Sequence, residues 1–378
     1  MSVNFPFPSV KKLREETGAS WAAFDEAASM TRQAEDELRT ALQGNNGPSR
    51  LLNPDVSLVL CGSFARHEMV GGSDYDWVLL VDGVVDNDHA ALGREIQTSM
   101  KRSGLESPGT SGTFGNLVFS HDLVHRIGGG EDSNANLTRR VLMLLESRPF
   151  SLSRADSSTA VWESVLGNIL ERYFEEDVHF APRKRNVPRF LLNDLTRYWR
   201  TICVDYAAKH REQDGKKWAI RNAKLRFSRK LIYASGLAFC LSCQLDPPSA
   251  VRNGLFGELK DDKIEPFLER AKSFAATPAL EYVAAFIDTF VPDQARRKQI
   301  AESVFGSYNW WLETLNKEAL RKELAGLDFP DAGDCQVFQE VRTRSKGFAK
   351  GLEKLFFGRD RDDEDDPVAN LTLQYIGF

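Results

Sequence analysis

The sequence predicts an α+β fold in which a small mixed sheet with flanking helices is followed by a larger all-helical domain. Three observations lead there. Short Val- and Leu-rich runs bounded by polar turns, VSLVLCGS and YDWVLLVDG, fall in the first third of the chain and read as neighbouring strands. Helix-period apolar spacing lies before and between them, and from about residue 157 onward the pattern is almost wholly helical. The chain has 378 residues, 42% of them hydrophobic, which is core material for two or three globular domains and excludes a disordered or fibrous protein.

From about Ser9 to Gln43, apolar Leu13, Trp21, Phe24, Ala28, Leu38 and Leu42 recur every three or four residues, so one or two helices are expected. GNNGPSRLLNP interrupts them, and the two strand runs follow. Residues 88–103 read as a helix, TFGNLVFS as a third strand, and Leu137, Val141, Leu144 and Leu145 mark a helix after the loop GGGEDSN. In the helical half, apolar stripes run over 189–211, 217–244, 261–275, 279–290, 293–323 and 336–356. The expected division is therefore 1–45 as bracing helices, 46–155 as the mixed core, 156–358 as the helical domain and 359–378 as an acidic tail. RDRDDEDD, residues 359–366, reads as a solvated, mobile segment.

No apolar run reaches the length of a membrane span and the amino terminus lacks a signal-peptide core, so no membrane partner is expected and a cytoplasmic location is the default. Five scattered cysteines fit a reducing compartment. Cys240 and Cys243 have CxxC spacing, but they sit in LIYASGLAFCLSCQL without a second pair, and buried thiols are expected. His121 and His125, four residues apart, have no third ligand nearby. The net charge is −5, yet residues 181–230 hold 15 Lys/Arg against 4 Asp/Glu. One basic segment in an acidic chain suits a local anion site rather than a long nucleic-acid surface.

The informative stretch is CGSFARHEMVGGSDYDWVLLV, residues 61–81. Asp74 and Asp76, two apart at the start of a strand, point to one side, and two adjacent carboxylates need a compensating charge that a hard divalent cation supplies. Gly62 and Ser63 end the preceding strand, where glycine permits close approach of a phosphate and N–H and hydroxyl groups donate to its oxygens. Arg66 adds a positive charge one turn on. Together these are the equipment for displacement at phosphorus.

Residues 61–81 resemble the nucleotidyltransferase superfamily of DNA polymerase β, whose motif is GS, a short helix, then DxD on the next strand. GSFARHEMVGGSDYD is most similar to the bacterial PII uridylyltransferases and glutamine synthetase adenylyltransferases, and LLESRPFSLS, residues 144–153, resembles a stretch following the catalytic core of the former. The likeness covers roughly residues 45–155. It implies that Gly62 and Ser63 hold nucleotide phosphates and that Asp74 and Asp76 bind two magnesium ions, with manganese as an alternative. A third carboxylate on a later strand is also implied, and Glu106, Asp122 and Asp132 are the candidates, with Glu106 taken as the catalytic choice.

In the helical half, WAIRNAKLRFSRKLIY places Arg221, Lys224 and Ser228 at i, i+3 and i+7, a face able to grip a triphosphate, with Leu225, Leu231 and Ile232 turned to a core. FLLNDLTRYWRTICVDY sets Asn193, Arg197 and Arg200 on a stripe beside Tyr198 and Trp199, where an aromatic could stack on a base. The function expected is a magnesium-dependent nucleotidyltransferase moving a nucleoside monophosphate from an NTP to a hydroxyl on a protein side chain, a nucleotide or an RNA, with release of pyrophosphate. The alternatives are a signalling-oligonucleotide synthase and a catalytically degenerate nucleotide-binding or interaction module. No hydrolase or ligand-sensing pattern of the full-length uridylyltransferases accompanies the motif.

Overall fold

The computed structural model describes residues 6–43, 54–84, 86–105, 108, 113–152, 158–177, 180, 186–212, 217–248, 254–257, 259, 263–358 and 366–376. It is mixed α+β, with one four-stranded sheet among the described residues and many helices. The chain divides into two compact units, Ala27–Glu176 with Ala271–Pro278, and Met1–Glu26 with Asp177–Arg270 and Ala279–Phe378. The contacts thus place the first helix with the helical unit and residues 156–176 with the sheet, whereas the sequence boundaries fall at 45 and 155.

In the sheet unit, β1 (Val56–Cys61) pairs antiparallel with β2 (Trp77–Val81) and with β4 (Ser147–Pro149), and β2 pairs parallel with β3 (Leu117–Phe119). The order is β3-β2-β1-β4. β1 and β2 are buried at every position, as continuous apolar runs require when both faces are covered. Register sets Leu58 opposite Leu79 and Leu60 opposite Trp77. These four share a core with Ala34, Leu38 and Leu42 of α2 (Ala22–Gln43) and Leu92, Ile96 and Met100 of α4 (Asn87–Arg102). α4 begins at Asp86, whose carboxylate accepts from the Asp88 N–H, and ends with Lys101 and Arg102, matching both ends of the helix dipole. α7 (Ser158–Glu175) packs on β1. The short α3 (Gly62–Ala65) and α5 (Ser120–Val124), and α6 (Asn134–Leu145) with its Ser133 cap, complete the unit. β4 was not anticipated: its three residues SRP carry no alternation, and only their pairing with Val59, Leu60 and Cys61 of β1 makes them a strand.

In the helical unit, α1 (Pro8–Thr17) packs on α12 (Ala279–Phe290), where the buried Glu281 carboxylate accepts from the Ser9 N–H at 2.8 Å and the Val10 N–H at 3.2 Å, capping α1 from outside. The expected helix over 189–211 is α8 (Arg189–Glu212). That over 217–244 is α9 (Trp218–Lys224), a π-helical turn at Leu225–Arg229 and α10 (Lys230–Ser242). Leu231 and Ile232 are buried as expected, but Leu225 is half-buried. Cys240 and Cys243 are wholly buried, and burial pushes both thiols up, so this CxxC packs rather than reacts. α11 (Glu265–Ala275) follows. The stretch 293–323 is α13 (Gln294–Ala301), a second π-helical turn, α14 (Ser307–Asn316) and α15 (Glu318–Gly326), broken where Lys317 turns extended. α16 (Gln336–Phe357) ends at Gly358, left-handed at φ +54°.

The region read as an acidic tail needs correction. Asp366 is buried, pairs with Arg296, and accepts from the Val368 and Ala369 N–H groups at 3.0 and 3.2 Å. It caps α17 (Pro367–Ile376), which lays Val368, Ala369 and Thr372 against α16. Residues 359–365 lie outside the described residues.

Candidate functional site

The site is built where β1 runs out. Cys61 donates its N–H to the Asp76 carbonyl at 2.9 Å, extending the β1–β2 pairing one step beyond the strands. Gly62 then turns left-handed at φ +62°, and a Cβ placed on it would lie 2.7 Å from Asp76 Oδ2. Glycine is therefore favoured twice, by the backbone angle and by the room its missing side chain leaves for the Asp76 carboxylate. Ser63, half-buried, follows in α3, and Phe64 anchors that turn by an edge contact with Tyr75, ring centroids 5.3 Å apart.

The chain returns through His67, itself left-handed at φ +58°, and a turn closed by Ser73, whose hydroxyl accepts from the Val70 N–H at 3.0 Å. Met69 is tied by its N–H to Thr31 Oγ1 of α2 at 3.1 Å. Asp74 is exposed, Tyr75 is buried and Asp76 is half-buried. That alternation puts the two carboxylates on one side and Tyr75 on the other, where its hydroxyl donates to Glu37 at 2.7 Å. The carboxylates lie in the extended segment before β2, which begins at Trp77, rather than inside the strand. The Cys61 thiol is pushed up by burial first, then by the fields of Asp76 and Glu146.

Arg66 is turned inward, away from any phosphate role. It is 6% exposed, pairs through Nε with Glu68 at 2.9 Å and through Nη1 with Glu146 at the end of α6, both carboxylates being buried. It ties the GS turn to the entry of β4. His67 is held neutral, its pKa lowered to about 3 by burial and then by Arg148 and Arg32. A base depressed in the folded state contributes stability present above its unfolded value near 6.5 and lost as pH falls toward 3. His67→Asn, which tolerates the left-handed angle and cannot be protonated, is expected to flatten urea stability over pH 6.5 to 3 while preserving the fold at neutral pH. An unchanged slope would remove His67 from this role.

Of the third-carboxylate candidates, Glu106 lies outside the described residues. Asp122 pairs with Arg126 at 3.2 Å on the surface of α5. Asp132 is consumed by Arg140, which grips both oxygens at 3.0 and 2.7 Å and donates to the Tyr173 hydroxyl at 2.7 Å. Among the described residues no group of three or more His, Cys, Asp or Glu is arranged to hold a metal ion. Asp74 and Asp76 therefore stand as a pair of hard oxygen donors. His121 and His125 have ring centroids 5.1 Å apart and add no further ligand.

In the helical unit the expected triphosphate face is not continuous. Arg221 is half-buried and Lys224 exposed, but the π-helical turn widens the spiral after Lys224, and Ser228 accepts from Trp311 Nε1 at 3.3 Å on the α14 side. The π-helical turn also brings in two cations that the spacing did not single out. Arg226 donates to Asn222 at 2.6 Å and to Ser345 at 3.4 Å, and the half-buried Lys230 is pushed down by burial and by Arg226. On α8, Tyr198 is core and Trp199 stacks on Tyr233 with centroids 5.5 Å apart, while Arg197 pairs with Asp194.

Comparison of the chain with protein-family profiles, with curated proteins and with solved structures gives no match. Two statements stand on the structure alone. The protein is mixed α+β, and no described helix is long and apolar enough to cross a membrane.

Proposed function

We propose that the protein is a magnesium-dependent nucleotidyltransferase that moves a nucleoside monophosphate from an NTP onto a hydroxyl and releases pyrophosphate. The observation that carries the reading is the seating of the Asp76 carboxylate against Gly62, with Asp74 two residues before it on the same side. A phosphate chain resting on the Gly62–Ser63 turn would then meet Asp76 with no side chain of residue 62 between. The motif resemblance of residues 61–81 supports the same chemistry.

The donor set fits hard divalent cations, since both groups are carboxylates on one side of an extended segment. Asp74 and Asp76 would hold the metal, which supplies charge neutralisation of the triphosphate and activation of the acceptor oxygen. Ser63 orients the phosphates through its hydroxyl. Gly62 leaves room for them and for Asp76. Arg66 acts on this turn through Glu68 and Glu146. Arg221, Lys224 and Ser228, the expected phosphate face, belong to the helical unit, where Ser228 accepts from Trp311 Nε1.

A second reading, a module that binds nucleotide without turnover, is favoured by one observation: Asp122 and Asp132 are each paired with an arginine. Asp76→Asn separates the two. Under the transferase reading this variant, normally folded by circular dichroism, loses at least a thousandfold in pyrophosphate release with the preferred NTP. Metal-dependent NTP binding by the unaltered protein, with no pyrophosphate under any acceptor condition, would favour the second reading.

A further inference from the structure

A groove of about 1050 Å³ lies between the outer face of α2, the Gly72–Tyr75 turn and the turn after α4 at Ser103–Leu105. Asp74 sits between two of its lining residues, Ser73 and Tyr75. The volume is that of a small organic ligand rather than a single water or ion.

Its chemistry is specific. Hydroxyl and amide groups line it from Ser29, Gln33, Thr40, Ser73 and Ser103, and among the described lining residues the charged groups are the carboxylates of Asp36 and Glu37. The two acids differ. Asp36 is neutralised by Arg39 at 2.6 Å, whereas Glu37 accepts from Gln33 Nε2 at 2.9 Å and from the Tyr75 hydroxyl at 2.7 Å and has no ion pair among the described residues. Among the described residues, one carboxylate is thus fixed in place by two neutral donors, with no cation beside it, at the wall of a polar groove. An anionic nucleotide is repelled there; a cation bearing hydroxyl groups gains a charge-assisted hydrogen bond and several neutral ones.

We propose that this groove binds a hydroxyl-bearing organic amine, with its ammonium on Glu37 and its hydroxyls on the serine, threonine and glutamine side chains. Tyr75 holds Glu37 on the side of the extended segment opposite Asp74 and Asp76, so the groove is a site of its own and does not depend on the transferase reading.

The test is calorimetric titration of the full chain, at mildly acidic pH, with the glucosamine dimer, its N-acetylated counterpart and spermidine. These separate charge from shape and from hydroxyls. The glucosamine dimer is expected to bind at least tenfold more tightly than either control. Glu37→Gln, a change at an exposed helix position, is expected to weaken it about tenfold, and Asp76→Asn to leave it unchanged. Equal binding of the acetylated dimer or of spermidine, full affinity in Glu37→Gln, or no binding of the glucosamine dimer would each overturn the proposal. Binding that survives while no labelled nucleotide is ever transferred would leave the groove standing and remove the transferase reading instead.

Discussion

Arg66→Ala is expected to cost about 3–5 kcal/mol of folding stability. The arginine lies between Glu68 and Glu146, whose side chains are 1% and 0% exposed. Removing it takes this cation from two buried carboxylates, a far greater loss than breaking an exposed surface pair such as Lys322–Glu318. Arg66→Lys recovers only part, because an ammonium is a point charge and cannot present the two-sided fork that reaches both acids. The double variant Arg66→Ala with Glu146→Gln should recover stability relative to Arg66→Ala alone, since one orphaned charge is removed. Urea denaturation of the three variants measures this. A loss below about 1 kcal/mol in Arg66→Ala would mean that the buried pairs do not hold the GS turn in place.

Gly62→Ala is the second large change. Left-handed backbone costs a residue with a Cβ about 1–2 kcal/mol, and the new methyl would also meet Asp76 Oδ2 at 2.7 Å, forcing the carboxylate to rotate away. Stability should therefore fall by about 1–3 kcal/mol. Under the transferase reading, turnover should fall by considerably more than stability predicts, because the displaced group is the metal-holding one. Comparison with Gly104→Ala distinguishes the two effects: that residue is also left-handed, at φ +72°, but a Cβ placed on it meets nothing within 4 Å. Gly104→Ala is expected to share the backbone cost and to retain more turnover. Equal turnover in the two variants would show that the seat of Asp76 on Gly62 has no bearing on the chemistry.

Much of this fold was legible in the sequence because period and punctuation agreed. The apolar stripe over 279–290 is α12 residue for residue, and VSLVLC and WVLLV are strands buried on both faces. The approach of Gly62 to the Asp74–Asp76 segment was also legible, since two neighbouring antiparallel strands joined by a short excursion must bring the end of one beside the start of the next. What the sequence withheld depends on distant partners. The inward turn of Arg66 is decided by Glu146, and the loss of Asp132 as a candidate ligand by Arg140. Ser147–Arg148–Pro149 is a strand only because β1 has a free edge, and Pro367–Ile376 is a helix because Asp366 caps it and α16 offers an apolar face. The π-helical turn at Leu225–Arg229 breaks the i, i+3, i+7 register that joined Arg221 and Lys224 to Ser228, and nothing in the local pattern announces the extra residue in that turn.

The central claim is that Asp74 and Asp76, seated beside Gly62, carry nucleotidyl transfer. Its most direct measurement is pyrophosphate release and labelled product formation with each of the four α-labelled NTPs and magnesium or manganese, for the unaltered protein and for Asp74→Ala combined with Asp76→Ala. The account predicts product with at least one NTP, and its loss by at least a thousandfold in the double variant. Undiminished product in that variant would contradict it.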